Sequence, residues 1–155
     1  MPVYRYCLLT LVCPLLLFWG CGSGENHQKE VVASGTIELT DGWARPGAKG
    51  MMSAVYLTIR NKTAYPDTLA GVSSDVAREA EVHESYKGEN GMSAMRPAPD
   101  RVIKSGDNLY LQPGGLHIML IKLKDDLAAG DSVNVLMEFR HSGARNVRLP
   151  VQAQR

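Results

Sequence analysis

From Val31 onward, apolar and polar positions alternate in short runs separated by Gly, Pro, Asn and Asp. A period of two marks strands with one buried face. Thr36-Ile37-Glu38-Leu39 alternates, and Asp41-Gly42 is predicted to turn the chain into Trp43-Ala44-Arg45. Pro46 to Gly50 reads as a loop. Met51 to Arg60 reads as a strand with Val55, Leu57 and Ile59 on one face, followed by a turn through Asn61-Lys62-Thr63 and Tyr65-Pro66-Asp67. Leu69 to Val72 is a short strand, Ser74 to Glu79 a loop or a single helical turn, and Val82 to Tyr86 a strand again. Residues 87–91 form a hairpin turn into Met92 to Arg96, which Pro97, Pro99 and Asp100 end. Val102-Ile103 and Leu109-Tyr110-Leu111 flank a Lys-Ser-Gly-Asp turn, and Gly114-Gly115 then break the chain before a strand from Leu116 to Leu123. After a loop at Lys124 to Ala129, Val133 to Phe139 alternates and Val147 to Val151 closes the series. There is no long 3.6-period run and no internal repeat, so the predicted class is all-β, a sandwich or barrel.

The first twenty residues break this texture. Arg5 is followed by a nearly unbroken apolar run from Tyr6 to Trp19, which is short for a membrane span and ends in small residues at Gly20 to Gly24. Residues 1–20 are therefore expected to be a signal peptide. Gly20-Cys21 resembles a bacterial lipoprotein processing site, where the cysteine becomes the acylated first residue. Phe18 and Trp19 are bulkier than the residues usual there, and simple cleavage and release is the alternative. Residues 21–35 read as a polar tether and 36–152 as the folded domain.

Composition narrows the function. Without residues 1–20, 16 Lys and Arg face 16 Asp and Glu, so there is no basic footprint for nucleic acid. The three cysteines are Cys7, Cys13 and Cys21. The folded part thus has neither disulfide nor thiolate.

His117 and Met119 carry the candidate chemistry. On a strand they project from one face, two rises of ~3.3 Å apart. The ordinary reading of such a pair is a hydrogen-bonded core histidine beside a core-filling methionine. The other reading is a metal site, because imidazole and thioether together suit a soft, low-charge ion such as Cu(I) better than Zn, Mg or Ca.

The spacing upstream favours the metal. His83 is followed by Glu84, ten residues, Met95, twenty-one residues and then His117-Ile118-Met119. This resembles the signature of the PCu(A)C family of periplasmic copper chaperones, with Glu84 where an optional Met stands. Trp43-Ala44-Arg45, Ala54 to Asn61, Met95-Arg96-Pro97 and Leu111 to Leu120 are similar to the family's text as well, and the resemblance covers roughly residues 36–151. It implies a cupredoxin-like Greek-key β-barrel that binds one Cu(I) ion through His83, Met95, His117 and Met119. It further implies delivery to the dinuclear copper centre of cytochrome c oxidase, so the expected partners are oxidase subunit II and a Sco-type thiol metallochaperone. Residues 151–155 carry no His or Met, so no second copper site is expected in a tail. The chemistry is consistent: thioethers are neutral and are not lost to protonation, and a site without thiolate survives an oxidising compartment.

Other residues have plainer readings. Met92 is a guard for copper or a packing residue, Met51 and Met52 are packing or loop residues, and Met137 belongs to the core. His27 and His141 are solvated, Trp43 is a core anchor, and Glu84 points away from His83 into solvent. The leading function is a membrane-anchored copper carrier of the cell envelope rather than an enzyme. Copper storage or detoxification shares its chemistry, and an anchored β-sandwich that binds no metal is the bland alternative. A blue-copper electron carrier needs a cysteine ligand that the domain lacks.

Overall fold

The computed structural model describes residues 35–153 except Asn90 and Pro99. The expected signal peptide, Cys21, His27 and nearly all of the tether lie outside the described residues. Ten strands follow one another without a helix among the described residues: β1 (Ile37–Ala44), β2 (Ser53–Asn61), β3 (Asp67–Ser74), β4 (Ala77–Lys87), β5 (Ser93–Pro97), β6 (Arg101–Ile103), β7 (Asn108–Leu111), β8 (Leu116–Leu123), β9 (Ser132–Phe139) and β10 (Gly143–Pro150). The all-β class expected from the alternation is what the structure shows.

The strands form a six-stranded sheet in the order β1-β2-β7-β8-β4-β5 and a four-stranded sheet in the order β10-β9-β3-β6. They share one apolar cluster. Val55, Leu57, Ile59, Ile118 and Leu120 enter it from the larger sheet, and Leu69, Val133, Val135, Met137 and Phe139 from the smaller. Burying side chains of this size stabilises the fold by about 1.5–3 kcal/mol each. The strand from Leu116 to Leu123 and the inward face of Val55, Leu57 and Ile59 lie where alternation puts them.

Three local expectations are corrected. Asp41-Gly42 does not turn the chain. It is a β-bulge inside β1, where the register jumps between Thr40 and Trp43 and Asp41 takes a φ of 56°. Two residues opposing one reverse the side-chain parity of the strand. Before the bulge Leu39 pairs with Ile59 over the core; after it Ala44 pairs with Val55 in the core, and Trp43 pairs with Tyr56 on the other face. Trp43 is therefore a buried anchor, but of a separate small cluster with Ala54 and Tyr56.

Ser74 to Glu79 holds no helical turn. A turn at Asp75-Val76 passes the chain from β3 to β4, which pairs with β8 from Ala77 onward. Ala, Arg and Glu have weak strand preference, and pairing with a buried neighbour overrides it. Glu84 is not simply solvated either, since Arg96 donates to it at 3.2 Å and Arg101 lies 3.7 Å away. The cross-strand pairing of Glu84 with Arg96 creates that contact.

A polar knot holds the smaller sheet. Asp67 is buried, and its carboxylate accepts backbone N–H bonds from Thr68 at 2.7 Å, His141 at 3.0 Å and Ser142 at 2.8 Å. Burial alone pushes its pKa up, but the Ser142 side chain and these N–H groups outweigh that and hold it below the ordinary 3.8.

Candidate metal centre

The outward face of the larger sheet carries the candidate site. On β8 the core takes Ile118 and Leu120, which leaves His117 and Met119 facing away from it. Both are nevertheless covered, at 3% and 6% exposure. Tyr56 supplies part of that cover, with its ring 6.3 Å from His117 and 4.8 Å from Trp43. The parity reversal in β1 is what puts Trp43 on this side.

β4 runs beside β8 with His83 opposite His117 and Glu81 opposite Met119. Residues opposed in an antiparallel pair share a face, so the two imidazoles are neighbours, with ring centroids 6.2 Å apart. β5 adds Met95 opposite Ser85, two residues beyond His83 on the same face. The structure thus gathers all four sequence-predicted residues on one face of three adjacent strands.

They are not held alike. A cleft of 410 Å³ opens over this face, and Met95, His117 and Met119 line it together with Met52, Tyr56 and Arg45. His83 is not in its wall and meets the group through His117. Met95 lies on the edge strand and is 55% exposed.

Hydrogen bonding fixes which nitrogens are free. His117 Nδ1 lies 3.1 Å from the carbonyl oxygen of Gly115. A carbonyl only accepts, so Nδ1 carries the proton and Nε2 keeps the lone pair. The same carbonyl accepts the backbone N–H of Ser85 at 3.1 Å, which ties the ring's orientation to the β4–β8 pairing. Gly114 makes the turn before it with a φ of 78°, where other residues are strained.

His83 is set the opposite way. Its Nε2 donates to the Glu81 carboxylate at 2.9 Å, leaving Nδ1 as the lone-pair nitrogen. That Nδ1 is buried without a hydrogen-bond partner among the described residues. An orphaned buried acceptor costs about 1–3 kcal/mol, and a metal ion bound there would relieve it. Carboxylate support behind a ligating imidazole is also what metal sites use to fix a ring. Among the described residues no three His, Cys, Asp or Glu side chains are grouped to hold an ion.

Residues 37–151 match the family model described as "Putative lipoprotein LpqE-like". The chain belongs to the LpqE-like family. It is 30% identical over 149 residues to "Putative lipoprotein Lxx21020" of Leifsonia xyli, covering 92% of this chain and 87% of that protein. Among solved structures, the copper-bound PCuAC domain from PmoF2 superposes with a TM-score of 0.63 at 21% identity, covering 78% of this chain and 96% of that one. CuI-DR1885 from Deinococcus radiodurans, a solution structure, gives 0.59 at 27% identity over 82% and 85%. This LpqE-like chain therefore has the cupredoxin-like β-sandwich of PCuAC domains, as its resemblance to the PCu(A)C family implies.

Sequence reasoning passed over two residues. Glu81 stands two positions before His83, which on a strand means the same face, and that spacing was the available signal. Met52 reads as a packing or loop residue; it lies just outside β2 and lines the cleft. No local pattern distinguishes it from Met51, because only the fold brings one of them to the site.

Proposed function

We propose that this protein is a Cu(I)-binding chaperone of the cell envelope, holding one ion through His83, Met95, His117 and Met119. The observation that carries the reading is the pair of adjacent imidazoles, each with one nitrogen left bare, beside thioethers on the same face. Two neutral nitrogens and two neutral sulfurs suit a soft monovalent ion, and no thiolate is needed in an oxidising compartment. The copper-bound relatives of the same fold support the same reading.

The protein carries copper rather than transforming a substrate. The exposed Met95 is the donor an incoming acceptor replaces first, with its own imidazoles or thiolates then displacing the buried pair. The acceptor is the dinuclear copper centre of cytochrome c oxidase subunit II, reached directly or through a Sco-type thiol chaperone. Acylation of Cys21 anchors the chain to a membrane, in keeping with the lipoprotein family to which it belongs.

Anaerobic titration with Cu(I) against a chromogenic chelator tests the reading. One tightly held equivalent is expected, lost or strongly weakened in His117→Ala and Met119→Ala. No competition with the chelator, or variants as tight as the parent, would leave a β-sandwich binding module without metal as the better account.

A further inference from the structure

The cleft has one more donor besides Met95, His117 and Met119. Met52 precedes β2, in which Ser53 pairs with Leu120 and Ala54 with Met119. Alternation puts Met52 on the same side as Ala54 and Met119, and it lines the cleft with Met95, His117 and Met119. The backbone around it is held: Leu123 donates to the Met51 carbonyl at 2.9 Å, and Gly50 donates to that of Leu123 at 2.8 Å. Met52 is thus an exposed thioether on a fixed stem.

Packing does not account for it. Met52 is 59% exposed and belongs to neither apolar cluster. Its neighbour Met51 is 62% exposed and does not line the cleft, which makes it an internal control. Across the cleft, Met95 is the other exposed sulfur, while His117 and Met119 are buried. The group is graded, with two accessible thioethers and two covered donors.

We propose that Met52 is a metal-capturing residue of this site, a thioether that takes Cu(I) at the cleft mouth and hands it to the buried His117 and Met119. The proposal rests on the Cu(I) reading given above. In the handover the Met52 sulfur–copper bond breaks as copper bonds to the Met119 sulfur and to the lone pair on His117 Nε2; copper stays Cu(I) throughout, and no proton moves. A thioether suits the task because it is soft, neutral and flexible about three bonds.

The test is methyl NMR on the protein labelled at methionine Cε, titrated anaerobically with Cu(I) and assigned with single Met→Leu variants. The methyls of Met52, Met95 and Met119 are expected to shift within the first equivalent while those of Met51 and Met92 stay. Met52→Leu, which keeps the side-chain volume, is expected to weaken retention roughly tenfold, the low end of what losing a supporting group costs a metal site. It is also expected to slow uptake in stopped-flow mixing. Shifts at Met95 and Met119 without one at Met52, or equal shifts at Met51 and Met52, would overturn the capture role and leave the copper reading standing. Shifts at none of these methyls would overturn both.

Discussion

β8 and the β4–β5 hairpin each bring one histidine and one methionine to the same face, but they hold them differently. β8 is an inner strand, paired on both sides, with Ile118 and Leu120 locked in the core beneath His117 and Met119. His117 and Met119 inherit that rigidity. The hairpin ends at the sheet edge, where β5 has one partner and Met95 stands largely in solvent. On the proposed function the ion must be both retained and surrendered, and the two halves would divide these demands. Strands with few buried contacts open locally at low free-energy cost, whereas core strands open only near global unfolding.

The strongest way to break this contrast is to undermine β8 from below. Ile118→Ala leaves every proposed ligand in place but removes a fully buried side chain. It is expected to cost about 2–5 kcal/mol in urea unfolding. The same measurement on Ala94→Gly in β5 should show about 1 kcal/mol or less. Comparable losses would mean that the hairpin is as firmly held as the inner strand.

At the site itself, His117→Ala is expected to weaken Cu(I) binding at least about a hundredfold, roughly 2.8 kcal/mol. Met95→Ala is expected to cost about tenfold and to speed transfer to an acceptor. Chelator competition reads the first quantity and stopped-flow mixing the second. Met95→Ala binding as weakly as His117→Ala would erase the distinction between a retaining and a yielding half.

Asp67 offers a control in the other sheet. Its folded-state pKa is lowered, so its contribution to stability is present above the unfolded value and is lost as pH falls through the folded one. Asp67→Asn is expected to cost about 1–3 kcal/mol at pH 7. The difference from the parent should shrink as the pH of the denaturation series falls below 3.8. Copper affinity should be unaffected, and a change there would show that the two sheets are not independent supports.

The smallest effect belongs to the hairpin's outer charges. Glu84→Gln removes the exposed contacts with Arg96 and Arg101 and is expected to shift stability by about 0–1 kcal/mol, fading in salt. Amide exchange across β5 is the more sensitive readout and should quicken there while β8 stays protected.

Much of this was legible in the sequence because alternation is a local property. The faces of β2 and β8 followed from the spacing of Val55, Leu57 and Ile59 and of His117 and Met119. The candidate ligands came from the resemblance to the PCu(A)C signature, and their unequal exposure was not part of it, because burial of an outward-facing residue depends on what the fold lays over it. Trp43 was readable as an anchor but not as one beside the site, since that required seeing Asp41-Gly42 as a bulge. Glu81 was hidden by its ordinariness: a glutamate on a strand is usually solvated, and only the 2.9 Å contact with His83 gives it a part.

The bulge at Asp41-Gly42 also behaves like a reading frame. One strand walls two compartments, and the extra residue decides which side chains each receives. Deleting a single residue there would shift every later position of β1 by one, sending Trp43 toward the core and Ala44 toward Tyr56. His83, Met95, His117 and Met119 would keep their spacing while His117 lost part of its aromatic backing. A chain can therefore carry the whole signature and still surround it differently, through a change of length some forty residues before His83.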